Sequence, residues 1–375
     1  MKILLTGGGT GGHFYPIVAV AEAIREKSRE DKLIDPELYY MAPEPYDNRK
    51  LLEQDIIFKR ISAGKIRRYF SIMNFIDLFK TGWGVIKATI EVFKIFPDVV
   101  FGKGGYVSFP ALLAAKFFKI PVVIHESDSV PGKLNIWAGK FAKKVAVSYP
   151  EAGKYFPPEK VAYTGNPVRN EIKIPQSNGA HEYLHLEQNV PVIVILGGSQ
   201  GSMLINDILI DSLNDLLHKY QIIHQTGKNN FEDVKNTTEV VLGNHPYKYR
   251  YHPHDYLNDL SLRMCGGIAD IIISRAGSTI FEIANWGVPS ILIPITDSNG
   301  DHQRQNAFNY ARTGAGVVIE EKNLTSHIFI SEITRIVENQ EEKDKMRQKA
   351  LSFIDGDASK KIARVILEIA LEHEK

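Results

Sequence analysis

The 375-residue chain has a single cysteine, Cys265, which excludes an internal disulfide framework and a cysteine-built metal site. It has no run of about 18 apolar residues, so no segment is predicted to span a membrane. The apolar stretch Ile3–Leu5 is far too short to be the core of a secretion signal. Charge of one sign is also missing. With 45 basic against 44 acidic residues the net charge is +1, and no global field exists to draw in nucleic acid. These absences predict a cytoplasmic protein, in solution or at a membrane surface.

What is present is an ordinary globular mixture, 44% hydrophobic and 24% charged, on a chain too long for one core. Strand-like apolar runs alternate with helical patterns at Ile3–Leu5, Leu38–Met41, Val99–Phe101, Val122–His125 and Val145–Val147. That alternation predicts a parallel sheet with helices on both faces. A Gly- and Pro-punctuated break runs from Tyr163 to Pro175. The pattern then restarts with Val192–Leu196, a glycine turn and a helix from about Met203 to His218. Further strands are expected at Ile222–Gln225, Ile271–Ser274, Ser290–Ile293 and Gly316–Ile319. The expected fold class is therefore α/β, with two Rossmann-like domains whose parallel sheets face each other across a cleft. The expected boundaries are 1–165 for the first domain, 166–176 for a linker and 177–345 for the second domain. A closing segment, 346–375, carries an amphipathic helix from Lys360 to Glu372 suited to packing back on the first domain.

Chemistry concentrates in a few turns. The first strand runs into Gly7-Gly8-Gly9-Thr10-Gly11-Gly12 and then His13, ahead of a helix expected from Pro16 to Glu26. Gly7, Gly9 and Gly12 satisfy a dinucleotide-binding pattern. The second strand, however, ends in Tyr39-Tyr40-Met41-Ala42-Pro43 without the acidic residue that a ribose requires there, which argues against a dehydrogenase. A tight structural turn with a buried His13 is the plain alternative. In the second half a strand ends at Ser274, and Gly277, Ser278 and Thr279 open a helix whose unpaired amides suit a diphosphate. Glu282 on its first turns suits a ribose diol, or is simply a solvated carboxylate. Arg275 fits a ligand or a structural ion pair equally well. Gln303 and His302 suit sugar hydroxyls, or else a polar helix start capped by Asp301. Gly104-Gly105-Tyr106 and His125-Glu126-Ser127-Asp128 both follow strand ends, the edge where open α/β sheets bind ligands.

Taken in order, these motifs, with Gly165-Asn166-Pro167-Val168-Arg169 and Gly197-Gly198-Ser199-Gln200-Gly201, resemble the MurG family of glycosyltransferases over nearly the whole length. The resemblance implies the GT-B fold and an inverting transfer of N-acetylglucosamine from UDP-N-acetylglucosamine to the C4 hydroxyl of lipid I. The product would be lipid II, for peptidoglycan synthesis, with no cofactor or metal required. By position, it implies that Thr10, Gly11 and Gly12 line the donor side beside His13, and that Arg169 and Ser199 meet the donor near its diphosphate. Leu257 would present its backbone to the uracil. Arg275, Gly277, Ser278 and Thr279 would hold the diphosphate, Glu282 the ribose and Gln303 the sugar. Gly104, Gly105, Tyr106, His125 and Glu126 would form the acceptor side. His13, with an ordinary imidazole pKa near 6.5, is then either the general base or a contact for the acceptor diphosphate. The family pattern His-Glu-Gln-Asn is here His125-Glu126-Ser127-Asp128, which makes Asp128 a second candidate base. The spacing from Arg275 to Glu282 is one residue shorter than the family pattern.

Lipid I sits in a membrane, so the resemblance also implies peripheral contact with an anionic surface on the cytoplasmic face. Ile72, Ile76, Phe79 and Trp83 at helical spacing, beside Lys65, Arg67 and Arg68, are the candidates. An ordinary core-facing amphipathic helix is the plain alternative. Three other readings share the architecture: a UDP-N-acetylglucosamine 2-epimerase, another glycolipid synthase, and a non-catalytic nucleotide-sugar-binding subunit.

Overall fold

A computed structural model describes residues 1–64, 72–198 and 200–372, with side chains in the helix Ile72–Ile95 described from position 79 onward. The chain forms two compact units, Met1–Arg169 with Asp355–Lys375, and Asn170–Ile354. Each is built on one parallel sheet.

The first unit contains β1 (Lys2–Thr6), β2 (Glu37–Ala42), β3 (Ile56–Arg60), β4 (Val99–Gly102), β5 (Val122–Glu126), β6 (Lys144–Val147) and β7 (Val161–Tyr163), in the order β3-β2-β1-β4-β5-β6-β7. All its pairings are parallel. Residues of β1 alternate between two cores, as the pleat requires. Ile3 and Leu5 pack with Ile17, Val20 and Ile24 of the helix Gly11–Glu30, whereas Leu4 packs with Val92, Val100 and Leu112. Strands buried on both faces read as continuous apolar runs, which is why they were legible.

The second unit contains β8 (Val192–Leu196), β9 (Gln221–Gln225), β10 (Tyr251–His254), β11 (Ile271–Ser274), β12 (Ser290–Leu292) and β13 (Gly316–Val318). They are ordered β10-β9-β8-β11-β12-β13, again all parallel. In both units the strand order reverses beside the unit's own first strand, between β1 and β4 and between β8 and β11. Loops diverge at such a switch point and leave a crevice at the carboxyl ends of the strands.

Several expectations need correcting. The first helix begins at Gly11, not Pro16, so His13 lies on its first turn. Proline usually opens a helix, but here it sits inside one. The closing segment does not begin at 346, because the helix Gln340–Phe353 packs Met346 and Ala350 into the second unit's cores. The chain changes unit at Asp355. The helix Ala358–Glu372 then buries Ile362, Ile366 and Ile369 in the core that holds β1. Lys360 also reaches Glu26 at 2.6 Å.

Candidate active site

At the first unit's switch point two glycine turns meet. A Cβ on Gly105 would lie 3.1 Å from the carbonyl oxygen of Gly8 and 3.8 Å from Nε2 of His13, and Gly105 itself has φ +75°. Only glycine tolerates both the approach and the left-handed backbone. His13 is half-buried, and its Nδ1 lies 3.0 Å from the Thr10 hydroxyl. The Thr10 carbonyl accepts the N–H groups of His13 and Phe14, which starts the helix. Tyr40 donates to the Gly7 carbonyl at 2.5 Å and fixes the floor of the turn.

A buried ionic group lies beneath. Gly102 pairs with Ile124 across the sheet, so Lys103 and His125 emerge side by side. Lys103 is 1% exposed, its Nζ has no hydrogen-bond partner, and burial pulls its pKa down to about 8 against the opposing pull of Glu126 and Asp128. His125 is fully buried, with Nε2 at 3.0 Å from the Gly165 carbonyl and 3.2 Å from the Ser148 hydroxyl. Burial, then the positive neighbours Lys103 and His13, hold it far below the ordinary imidazole range. The Glu126 carboxylate accepts the N–H of Asp128 at 2.9 Å, that of Gly132 at 3.0 Å and the Asn135 amide at 2.8 Å. Burial and the adjacent Asp128 raise its pKa. Glu126 therefore organises its loop rather than facing a ligand. Arg169, 3% exposed, stacks on the Tyr15 ring with Cζ 3.6 Å from the centroid. It lies in the first unit, against the helix that carries His13.

The second unit's turns carry neutral donors and acceptors. The loops after β8 and β9 touch backbone to backbone: a Cβ on Gly227 would meet the Gln200 carbonyl oxygen at 2.4 Å. Gln225 links three strand ends, accepting the Leu257 N–H at 3.0 Å and donating to the Gly198 carbonyl at 3.0 Å. The Leu257 N–H is thereby engaged, which leaves its carbonyl as the backbone group suited to a base. Ser278 precedes the helix Thr279–Trp286 without capping it through its side chain, and a Cβ on Gly277 would meet nothing within 4 Å. This helix start is open, with Glu282 in its first turn. The Asn306 amide holds the Ala276 carbonyl at 3.2 Å from below.

Arg275 forms the structural ion pair that was one of its two expected roles. It pairs with Glu321 at 2.7 Å and donates to the Ser202 hydroxyl at 2.7 Å and the Ile293 carbonyl at 3.0 Å. Its work is to hold the loops after β8, β11 and β12 together. Glu321 also accepts from the Thr296 N–H and hydroxyl; burial opposes its charge, but these bonds keep its carboxyl below the ordinary value. The Gln303 carbonyl oxygen is taken by the Ile295 N–H at 3.2 Å, so its amide donors are the part suited to a sugar. Asp301 does not cap its helix through its side chain; it reaches Arg304 at 3.3 Å.

Residues 3–147 match the N-terminal domain of glycosyltransferase family 28, and residues 192–364 match its C-terminal domain. The chain is 37% identical over 344 residues to the UDP-N-acetylglucosamine–N-acetylmuramyl-(pentapeptide) pyrophosphoryl-undecaprenol N-acetylglucosamine transferase 3 of Bacillus thuringiensis (strain Al Hakam), covering 91% of this chain and 92% of that one. The chain belongs to this transferase family. Its fold superposes on the crystal structure of Acinetobacter baumannii MurG with a TM-score of 0.71 at 26% identity, covering 98% of this chain and 99% of that one. A UDP-N-acetylglucosamine 2-epimerase from Listeria monocytogenes gives the same TM-score at 16% identity over 100% of this chain and 97% of that one, a likeness of fold alone.

In the transferase, the first unit thus gathers His13, Thr10, Gly105, His125, Glu126, Asp128 and Arg169 around one switch point. The second gathers Gly277, Ser278, Thr279, Glu282 and Gln303 around the other. Ser199, Lys65, Arg67 and Arg68 and the side chains of Ile72 and Ile76 lie outside the described residues. Sequence reasoning assigned no role to Lys103, Gln225 or Asn306, although Lys103 and Asn306 lie within motifs it singled out. The signal for Lys103 was a lysine directly after a four-residue apolar strand, where the chain is still buried. The roles of Gln225 and Asn306 were hidden because each acts through backbone groups of a distant loop.

Proposed function

We propose that this transferase moves N-acetylglucosamine from UDP-N-acetylglucosamine to the C4 hydroxyl of lipid I, with inversion at the anomeric carbon. The reading is carried by the seating of His13 on the first turn of a helix, held by Thr10, beside Gly105. In the tautomer that donates Nδ1–H to Thr10, Nε2 bears the lone pair that takes the hydroxyl proton as the oxygen attacks. Gly104, Gly105 and Tyr106 form the acceptor side with it. The departing UDP gains negative charge, which the open amides of Gly277, Ser278 and Thr279 stabilise, with Arg169 and Ser199 contributing to the diphosphate. Glu282 accepts from the ribose, Gln303 donates to the sugar, and the Leu257 carbonyl serves the base.

The lipid acceptor requires contact with a membrane. No described helix is long and apolar enough to cross one. On the helix Ile72–Ile95, however, Phe79 is 66% exposed, Trp83 64% and Phe93 64%, with exposed Ile86 and Ile90 between them. These positions recur every three or four residues and share one face. Phe96 and Phe117 extend the face, and exposed Lys80, Lys87 and Lys94 recur every seven residues beside it. A contiguous exposed apolar face of this kind marks an interaction surface, and its basic row suits anionic lipid.

The test is UDP release measured with and without a lipid-linked muramyl acceptor. The reading expects release only with acceptor. Release without acceptor, or interconversion of the free sugar nucleotide, would transfer the protein to the hydrolytic or epimerase class.

A further inference from the structure

Glu321 takes no part in the mechanism above, yet its carboxylate joins the loops after β11 and β12. It lies in the turn that follows β13, the edge strand beside β12, so it stands next to the loop that leaves β12. Residues 293–298 of that loop run without helix or strand, and Ile295 and Thr296 are exposed. The two oxygens of Glu321 divide the contacts. Oε1 meets the Arg275 guanidinium at 2.7 Å, whereas Oε2 accepts the Thr296 N–H at 2.9 Å and its hydroxyl at 2.6 Å. The Arg275 arm leads to Ser202, which caps the helix Met203–Leu216 and so fixes the end of the glycine turn after β8. The Thr296 arm leads to Gln303. The N–H of Ile295, next to Thr296, donates to the Gln303 side-chain carbonyl at 3.2 Å, and the Gln303 N–H donates to the Ser298 hydroxyl at 3.2 Å. On the other side of Gln303, Arg304 pairs with Glu320. The side chains of Arg275 and Glu321 are only 12% and 20% exposed, which strengthens their pairing relative to a bridge in open water.

We infer that Glu321 is a positioning residue for the donor sugar, one oxygen securing the arginine behind the glycine turn and the other the loop that aims the Gln303 amide. The inference rests on the reading of Gln303 as a sugar contact. A primary amide turns over about its last torsion at little cost, exchanging its N–H donors for its carbonyl acceptor. The Ile295 N–H decides which end is engaged, and it does so only while its loop stays against the end of β13. Glu321 touches no ligand itself. It acts by holding that loop, and so by presenting donors rather than an acceptor to a sugar hydroxyl.

Thr296→Val keeps the shape of the side chain and deletes the hydroxyl arm, leaving the Arg275–Glu321 pair in place. By calorimetry it should weaken UDP-N-acetylglucosamine about three- to fivefold, the worth of one hydrogen bond, and leave UDP, which has no sugar, within about twofold. Tm should not move, because Thr296 is exposed. Glu321→Gln offers one acceptor oxygen in place of two and cannot serve both arms. It should weaken UDP-N-acetylglucosamine about tenfold or more and UDP by no more than about twofold, with a fall in Tm because Arg275 loses its counter-charge. In a Gln303→Ala background the amide that Glu321 aims is gone, so Glu321→Gln should weaken UDP-N-acetylglucosamine no further than it weakens UDP. Equal losses for both ligands in either variant, or a full additional loss in the Gln303→Ala background, would overturn the inference and leave Glu321 a structural bridge. Wild-type protein that bound neither ligand would overturn the donor reading and the inference together, so the two failures are told apart by the wild type alone.

Discussion

The two units share a plan and differ in chemistry. In each, the first strand is buried and runs into a glycine turn and a helix, and the strand order reverses next to that strand. The first unit's switch point collects groups that change charge: His13, Lys103, His125, Glu126 and Asp128. The second collects mainly groups that do not, namely backbone amides, Ser278, Thr279, Gln225, Gln303 and Asn306, with Glu282 and the Arg275–Glu321 ion pair beside them. A proton must be taken from an acceptor hydroxyl, whereas a diphosphate needs only fixed donors. Under the proposed function, one architecture would serve to move a proton in one copy and to hold an anion in the other.

Substitutions can break this division. His13→Ala should lower acceptor-dependent turnover by about 10²–10³-fold, in the range of general-base loss, while calorimetry finds UDP affinity unchanged. Retained turnover would place the proton-accepting group elsewhere. Glu282→Ala should act oppositely, raising the KM for UDP-N-acetylglucosamine by about tenfold or more through loss of charged hydrogen bonds, with kcat little changed. If the two variants gave the same kinetic signature, the division of labour would fail.

Acid should separate the units physically. Burial pulls His224 down to about 3 and His252 to about 4, and it also lowers His254, all in the second unit; the first has His125. Each is held neutral in the fold but binds a proton more readily once unfolded. The stability from this source is therefore full above pH ~6.5 and is lost as pH falls toward the depressed values. Tm should drop by about 5–10 °C between pH 6.5 and 4.5. Hydrogen exchange should show the second unit opening first. Replacement of His224, which bridges Asn206 and Tyr251, by Gln should flatten that dependence. The smallest effect is expected from Phe79→Ser with Trp83→Ser: binding to anionic liposomes falls several-fold, while Tm is unchanged because both side chains are exposed.

The strands that sequence periodicity failed to register are β3, β7 and β10, and all three are sheet edges. An interior parallel strand is covered on both faces and spells a continuous apolar run. An edge such as Tyr251-His252-Pro253-His254 is half-covered, polar and interrupted by proline, which is tolerated there. The site divides in a similar way. Turns at strand ends were legible because glycine and helix-start residues are local signals. The role of Arg275 stayed open because its partners, Ser202, Ile293 and Glu321, are dispersed along the chain. The exposed row beyond Trp83 was missed because apolar spacing alone is the same for a face that is buried and one that is not.

The return of the helix Ala358–Glu372 to the core around β1 has a consequence for biosynthesis. On the ribosome, residues 1–169 emerge first, yet Ile362, Ile366 and Ile369 follow only after the whole of the second unit. Until then Val18, Ala21 and Ile24 lack part of their cover. The unit that begins first is thus completed last. The nascent chain must keep an apolar stripe from sticking elsewhere while its second half folds.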